Sequence, residues 1–195
     1  MSTDLLTLDL IAQNPTLVTQ TIHLNKTTGS EKSLFRPLLH NDIFALQQFL
    51  ECLSERTRRF ATYPSYDLQC AQTYCNEINQ NETLRMVAIT ENGKIVALFE
   101  FNFHLVEFDI KRYRKYGIEL NQDSDIQFAP CIMDKHQNQH LAKRLGKKRI
   151  IAWAGVLIDN EQAIRFYEKN NFQISREKYI AEDGYECYDG ILQLS

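Results

Sequence analysis

A chain of 195 residues has room for one α/β domain with a full core, and two domains would be cramped. A hydrophobic content of 44% with 24% charged residues excludes a disordered polymer, and a formal net charge of −3 excludes a global field for DNA or RNA. Met1 to Leu10 carries Asp4 and Asp9 without a basic leader region, no run nears the roughly 18 apolar residues of a membrane span, and the odd set of five cysteines lacks a framework spacing, so the expectation is a soluble cytoplasmic protein with free thiols.

Residues 1–31 carry the weakest pattern and read as an N-terminal extension, closing on the turn-like Thr27-Thr28-Gly29-Ser30. Leu17 to Leu24 alternates loosely and predicts a strand paired with Ser33 to Arg36, which Pro37 ends because proline cannot donate to a ladder. Asn41 or Asp42 is placed to cap a helix whose apolar stripe is Ile43, Leu46, Phe49, Leu50 and Leu53. A second helix begins near Asp67 with Leu68, Ala71, Cys75 and Ile78 on one face, and Tyr63-Pro64-Ser65 is a turn.

Leu84 to Thr90 alternates as a strand, and Asn92-Gly93 then predicts a tight hairpin, since both turn positions demand positive φ. On the return strand Ile95, Ala97, Phe99, Phe101 and Phe103 share one face. Glu100, Asn102 and His104 share the other, a face polar enough to line a pocket or meet water. Lys111, Arg112, Arg114 and Lys115 fall on a short helix ended by Gly117 and read as a solvated face, with steering of an anionic substrate by Lys111 to Tyr116 as the alternative; the run Lys143 to Arg149 reads as a solvated face.

Asp125 to Met133 is an apolar strand kinked at Pro130, and Lys148 to Ala154 another. Asp159 with Gln162 resembles a capping box for a helix with Ala163, Ile164, Phe166 and Tyr167 inside, and Asn171 suits the left-handed residue after it. Two strands flank the turn Glu182-Asp183-Gly184. Hairpins, helices and one crossover in this order predict an α/β domain with a mixed sheet over residues 32–195.

The segment Asn160 to Phe172 resembles the signature of GNAT-type N-acetyltransferases, Asn-x-x-Ala-x-x-Phe-Tyr-x-Lys-x-Gly-Phe, with Asn171 in place of the glycine. Ile132 to Ala142 is similar to the strand and pyrophosphate loop of the same family: Gln137 and Ala142 match, and His140 stands where the family has glycine. Arg36-Pro37, the Asp42 helix and the Asn92-Gly93 hairpin extend the likeness over about residues 33–195. The resemblance implies a single GNAT-like domain, its mixed central sheet flanked by helices. It implies acetyl transfer from acetyl-CoA, a co-substrate, to a primary amine of a small molecule or protein, with no metal, nucleic acid or membrane involved. The runner-up is a catalytically degenerate member that binds a ligand or partner.

Coenzyme A brings a pyrophosphate suited to converging backbone N–H groups and an amide-like arm that adds to a strand edge. The resemblance assigns coenzyme contacts to Ile132, Met133, Gln137, Asn138, Gln139, His140, Leu141 and Ala142 and to Asn160, which opens the signature helix. It assigns to Tyr167 the proton for the departing thiolate, against the plain alternative of an aromatic packing residue. The polar strand face makes Glu100 the candidate base, with a surface carboxylate as the alternative. Cys131, His136 and His140 have metal-like spacing, but the loop already has an explanation and no metal is expected. The departure from the family is the crossover: only Lys143 to Gly146, four residues, separate Ala142 from Lys147, so the helix after the loop is shortened or a segment is missing. An uncovered sheet face there predicts burial in a homodimer or under residues 1–31.

Overall fold

The structure is a computed structural model that describes residues 6–26, 29–61, 63–78, 82–132 and 147–194. Met133 and the whole loop Gln137 to Ala142, with the short crossover, His136 and His140, lie outside the described residues. Among those described, the chain forms two compact units, residues 6–100 with 130–132 and residues 101–129 with 147–194.

The N-terminal unit holds four strands in the order β1 (Gln20–Lys26), β2 (Gly29–Pro37), β3 (Thr83–Thr90) and β4 (Ile95–Asn102, whose last two residues fall in the other unit). The expected β1 forms and pairs antiparallel with β2, Ile22 opposite Ser33, and β2 ends at Pro37. A helix α1 (Leu8–Gln13), capped by Thr7, precedes β1. The hairpin between β3 and β4 is not the expected two-residue turn: only Gly93 takes positive φ, +80°, and Gly93 N–H bonds the Thr90 carbonyl while Thr90 N–H bonds the Lys94 carbonyl, which makes a three-residue loop of Glu91-Asn92-Gly93.

Helices α2 (Ile43–Glu51) and α4 (Leu68–Asn76) supply most of this unit's core. Leu46, Phe49 and Leu50 from α2 meet Cys70, Ala71, Tyr74 and Cys75 from α4 over Val87, Ile95 and Leu98. The α4 stripe is rotated slightly from the expected one: Tyr74 and Cys70 point inward, while Leu68 is exposed. Asp67 caps α4 through Gln69 and Cys70 N–H, as its position predicts. Asp42 does not cap α2 with its side chain. Its carboxylate receives both guanidinium nitrogens of Arg36, at 2.6 and 2.9 Å, and the Leu39 N–H, closing the turn before the helix. Ser54 caps an additional short helix, α3 (Glu55–Phe60), whose Arg58 reaches back to the carbonyls of Leu50 and Glu51 at the end of α2.

The C-terminal unit runs β5 (Asp125–Ile132, continuing into the other unit from Pro130), β6 (Arg149–Ala152), β9 (Glu186–Gln193) and β7 (Val156–Leu157), with β8 (Gln173–Ile180) also on β9. The β5–β6 pair is parallel and the rest antiparallel, which gives the mixed sheet. Helix α5 (Glu107–Lys115) ends at Gly117, φ +73°, and buries Tyr113 among Leu105, Ile151 and Ile191. Helix α6 (Glu161–Lys169) is the signature helix. The expected box of Asp159 and Gln162 does not form. Asn160 is the cap, its side-chain oxygen accepting from Ala163 N–H at 3.1 Å, because the chain enters the helix one residue later. Asn171 takes the left-handed conformation, φ +64°.

The basic runs are not simply solvated. Arg112 is buried between Asp109 and Asp189, Lys147 donates to the Asp123 carbonyl, and Arg149 pairs with Asp125 in the facing strand. Burial of the α5 inner face decides this: an arginine one turn after Asp109 cannot reach water there.

Candidate active site

The site is built where two parallel strands part. Pairing of β5 with β6 runs from Asp125↔Arg149 to Phe128↔Ala152 and stops; the last bond is Trp153 N–H to the Phe128 carbonyl, 3.0 Å. Beyond it the chain swings through Ala154 and Gly155, at φ +54° and +77°, while β5 continues to Ile132.

Tyr167 lies on the inner face of α6, 4% exposed. Its ring meets Phe128, Phe166 and Phe172 edge-on, the Phe172 centroid at 4.9 Å. The hydroxyl faces the same Phe128 carbonyl at 3.5 Å, a long contact that leaves its proton weakly engaged. Burial alone drives the phenol well above its ordinary range, so it holds its proton at neutral pH. Such a group is a donor and never a phenolate base. Asn160 stands at the N-terminus of the same helix with its side-chain oxygen committed to the cap.

Glu100 belongs to the N-terminal unit. It is neither a surface carboxylate nor on a wet face: it is 6% exposed and accepts from Arg85 Nε at 3.0 Å. The Arg85 guanidinium in turn lies 3.7 Å from the ring centroid of Tyr74. Burial lifts the Glu100 carboxyl above its ordinary value, and Arg85 opposes that shift without cancelling it. Tyr63, half-buried, packs against the core cluster that contains Cys131, and burial raises the proton affinity of its phenol; burial also pushes the Cys131 thiol up to about 11. Asn102, the next polar residue on the strand face, is buried as well and donates to Gln127 in β5 at 2.9 Å.

Sequence reasoning misses Arg85, because its partner Glu100 lies 15 residues on in the next strand and a two-residue turn count would set Glu91, rather than the observed Thr90, against Lys94. Asp109 and Arg112 form a readable i,i+3 pair on α5, but Asp189, 77 residues beyond Arg112, has no local signal. Among the described residues no cluster of three or more His, Cys, Asp or Glu could hold a metal ion, and no helix is long and apolar enough to cross a membrane. All five cysteines are free thiols.

No family model matches the sequence, and no curated protein matches it. Solved structures do match in fold. The chain is similar to the GNAT domain of S. lividans PAT, with a TM-score of 0.62 and 17% identity over 89% of this chain and 97% of that one. It is similar to aminoglycoside acetyltransferase AAC(6')-Ib in complex with coenzyme A and kanamycin, TM-score 0.57 and 17% identity over 82% and 93%. RimL, a ribosomal L7/L12 alpha-N-protein acetyltransferase, matches with a TM-score of 0.57 and 11% identity over 89% and 100%. The chain therefore has the GNAT N-acetyltransferase fold: an α/β domain with an open mixed sheet flanked by helices.

Proposed function

We propose that the protein transfers an acetyl group from acetyl-CoA to a primary amine of a small molecule or a protein. One observation carries the reading: a buried, protonated phenol, Tyr167, faces the carbonyl at which β5 and β6 separate. Support for the co-substrate and the acceptor comes from the fold's neighbours, one of which is in complex with coenzyme A and an aminoglycoside while another is named for a protein α-amine. A cytoplasmic location accords with five free thiols.

Acetyl-CoA supplies an activated acyl group whose sulfur departs as a thiolate. In this proposal the Tyr167 hydroxyl gives its proton to that sulfur and recovers one from solvent before the next turnover. Glu100 accepts the proton released by the amine nitrogen: Arg85 holds the carboxylate in place, and burial raises its proton affinity. Main-chain groups of β5 up to Ile132 carry the amide arm, and Met133 with Gln137, Asn138, Gln139, His140, Leu141 and Ala142 take the pyrophosphate. Asn160 contributes at the coenzyme end of α6.

The enclosure of Tyr167 by three aromatic rings favours a second reading, a degenerate member of the fold that binds a ligand without turnover. One experiment separates the two: melting with acetyl-CoA, then release of free thiol in the presence of aminoglycosides and peptide N-termini. A rise in Tm following ligand linkage, about 2.7 kcal/mol at a hundredfold excess over Kd, together with amine-dependent thiol release, is expected. Binding without release supports the second reading, and no shift at millimolar acetyl-CoA removes the first.

A further inference from the structure

Strands β6 and β7 both pair with β9, but not in one register. Ile151 faces Ile191 and Val156 faces Tyr188, so residues 152–155 oppose only Asp189 and Gly190. The other neighbour repeats the surplus: Ile174 faces Gly190 and Lys178 faces Tyr188, so residues 175–177 oppose Asp189 alone. Asp189 thus sits opposite a bulge on each side. Bulges bend a strand and re-aim its side chains, and they gather beside active sites. The first of these takes Ala154, a residue with a Cβ, into the left-handed region, as well as Gly155. A Cβ at Gly155 would collide with the Tyr179 hydroxyl and lie 2.8 Å from the Tyr188 carbonyl.

Something must hold that conformation, and the buried ions of α5 are placed to do it. Tyr179 Oη donates to the Ala154 carbonyl at 2.7 Å, and the Ala154 N–H points to Asp109 Oδ2 at 3.5 Å. Asp109 Oδ2 also accepts from Gln127 Nε2 of β5. Arg112 meets Asp109 at 2.6 Å and Asp189 at 2.7 Å, and its guanidinium carbon is 4.0 Å from the Tyr179 ring centroid. Three buried charges and a tyrosine therefore tie β5, the bulge and β9 together through one helix. Apolar residues of similar volume would fill the space with less desolvation. What they would lack is direction, a donor and an acceptor aimed at the two ends of one residue.

We infer that Arg112, clasped by Asp109 and Asp189, and Tyr179 are positioning residues that hold the Trp153–Gly155 bulge and thereby set where β6 leaves β5. The consequence for chemistry runs through one atom. The Phe128 carbonyl receives Trp153 N–H, the first bond before the bulge, and faces the Tyr167 hydroxyl. Relaxing the bulge shifts the strand edge and the carbonyl against which the phenol is set. The catalytic side of this inference rests on the acetyltransferase reading above; the structural side does not.

The test uses Tyr179→Phe, which removes only the hydroxyl, and Arg112→Lys, which keeps the charge and loses the fork. Leu46→Val in the other unit's core serves as a control for general softening. Trp153 is the single tryptophan of the chain and reports on the bulge directly. Expected is a rise in acrylamide quenching of Trp153 and faster amide exchange over residues 149–158 in Tyr179→Phe and Arg112→Lys. Leu46→Val at comparable Tm loss should leave both unchanged. With acetyl-CoA as probe, KM should rise roughly tenfold in Tyr179→Phe while the KM of the amine stays constant. Wild-type quenching and exchange in both variants, or changes matched by Leu46→Val, overturn the positioning role. Altered quenching in a protein whose wild type ignores acetyl-CoA would keep the bulge clamp and discard the enzyme reading.

Discussion

Tyr167 and Glu100 are both buried, but their surroundings differ in kind, and so do the predictions for them. Tyr167 has aromatic rings and one long contact to a carbonyl, so removing its oxygen costs little structure. Tyr167→Phe is expected to lower kcat roughly 10²-fold with KM for acetyl-CoA and Tm nearly unchanged, the size of one acid–base group. Parallel loss of coenzyme affinity and turnover would mark the ring as packing alone. Glu100 has a charged partner, and burial still raises its carboxyl above 4.5. A carboxyl raised in the folded state stabilises the fold most below its unfolded pKa, and that contribution is lost as pH rises through the folded value. The stability of wild type over Glu100→Gln, from urea titrations at several pH values, should therefore be greatest below pH 4.5 and shrink upward from there. Growth of the difference with pH would mean that the Arg85 pairing outweighs desolvation.

At the level of elements, local chemistry is readable wherever it closes within a few residues. The Asp67 cap, Gly117 after α5 and Asn171 after α6 all stand where the sequence places them, and the β3–β4 hairpin turns at Gly93 as expected but through three residues rather than two. The errors are equally local in cause. Asp42 is drawn off its helix by an arginine six residues earlier, and Asp159 loses the cap to its neighbour. Helix α3 has too few apolar residues to show a period; only Ser54, three residues before Thr57, announces it. Helix α6 offers the cleanest check, because its two ends use different devices. Asn160→Ala should cost about 1 kcal/mol by freeing the Ala163 N–H, whereas Asn171→Gly should stabilise by up to about 1 kcal/mol, relieving a Cβ at positive φ. Reversible thermal melts of the two variants read opposite signs, and a loss in Asn171→Gly would show that the asparagine side chain contributes a bond outweighing that strain.

Across the whole chain, the features that escape the sequence are those that connect distant segments. The signature in α6 is legible because six of its seven specified positions match within one span of thirteen residues, Asn160 to Phe172. Arg112 reads as a solvated cation because nothing within a helical turn announces Asp189, and a paired bulge leaves no residue pattern beyond one glycine. The cost of that buried cluster can be measured. Arg112→Leu leaves two carboxylates, Asp109 and Asp189, enclosed without their shared cation, and breaking a buried pair in this way costs about 3–5 kcal/mol. Already in the native protein, burial raises the Asp189 carboxyl above its ordinary 3.8 despite Arg112. Without the guanidinium the Asp189 carboxyl binds its proton more tightly still in the folded state than in the unfolded chain. A folded pKa raised in this way makes the variant's stability highest at low pH and removes it as pH rises through that value. Denaturant unfolding should thus show the deficit of Arg112→Leu against wild type narrowing as pH falls from 7 toward 4. A deficit independent of pH would place the loss in packing of the arginine stem against Phe108 and Tyr179 rather than in charge.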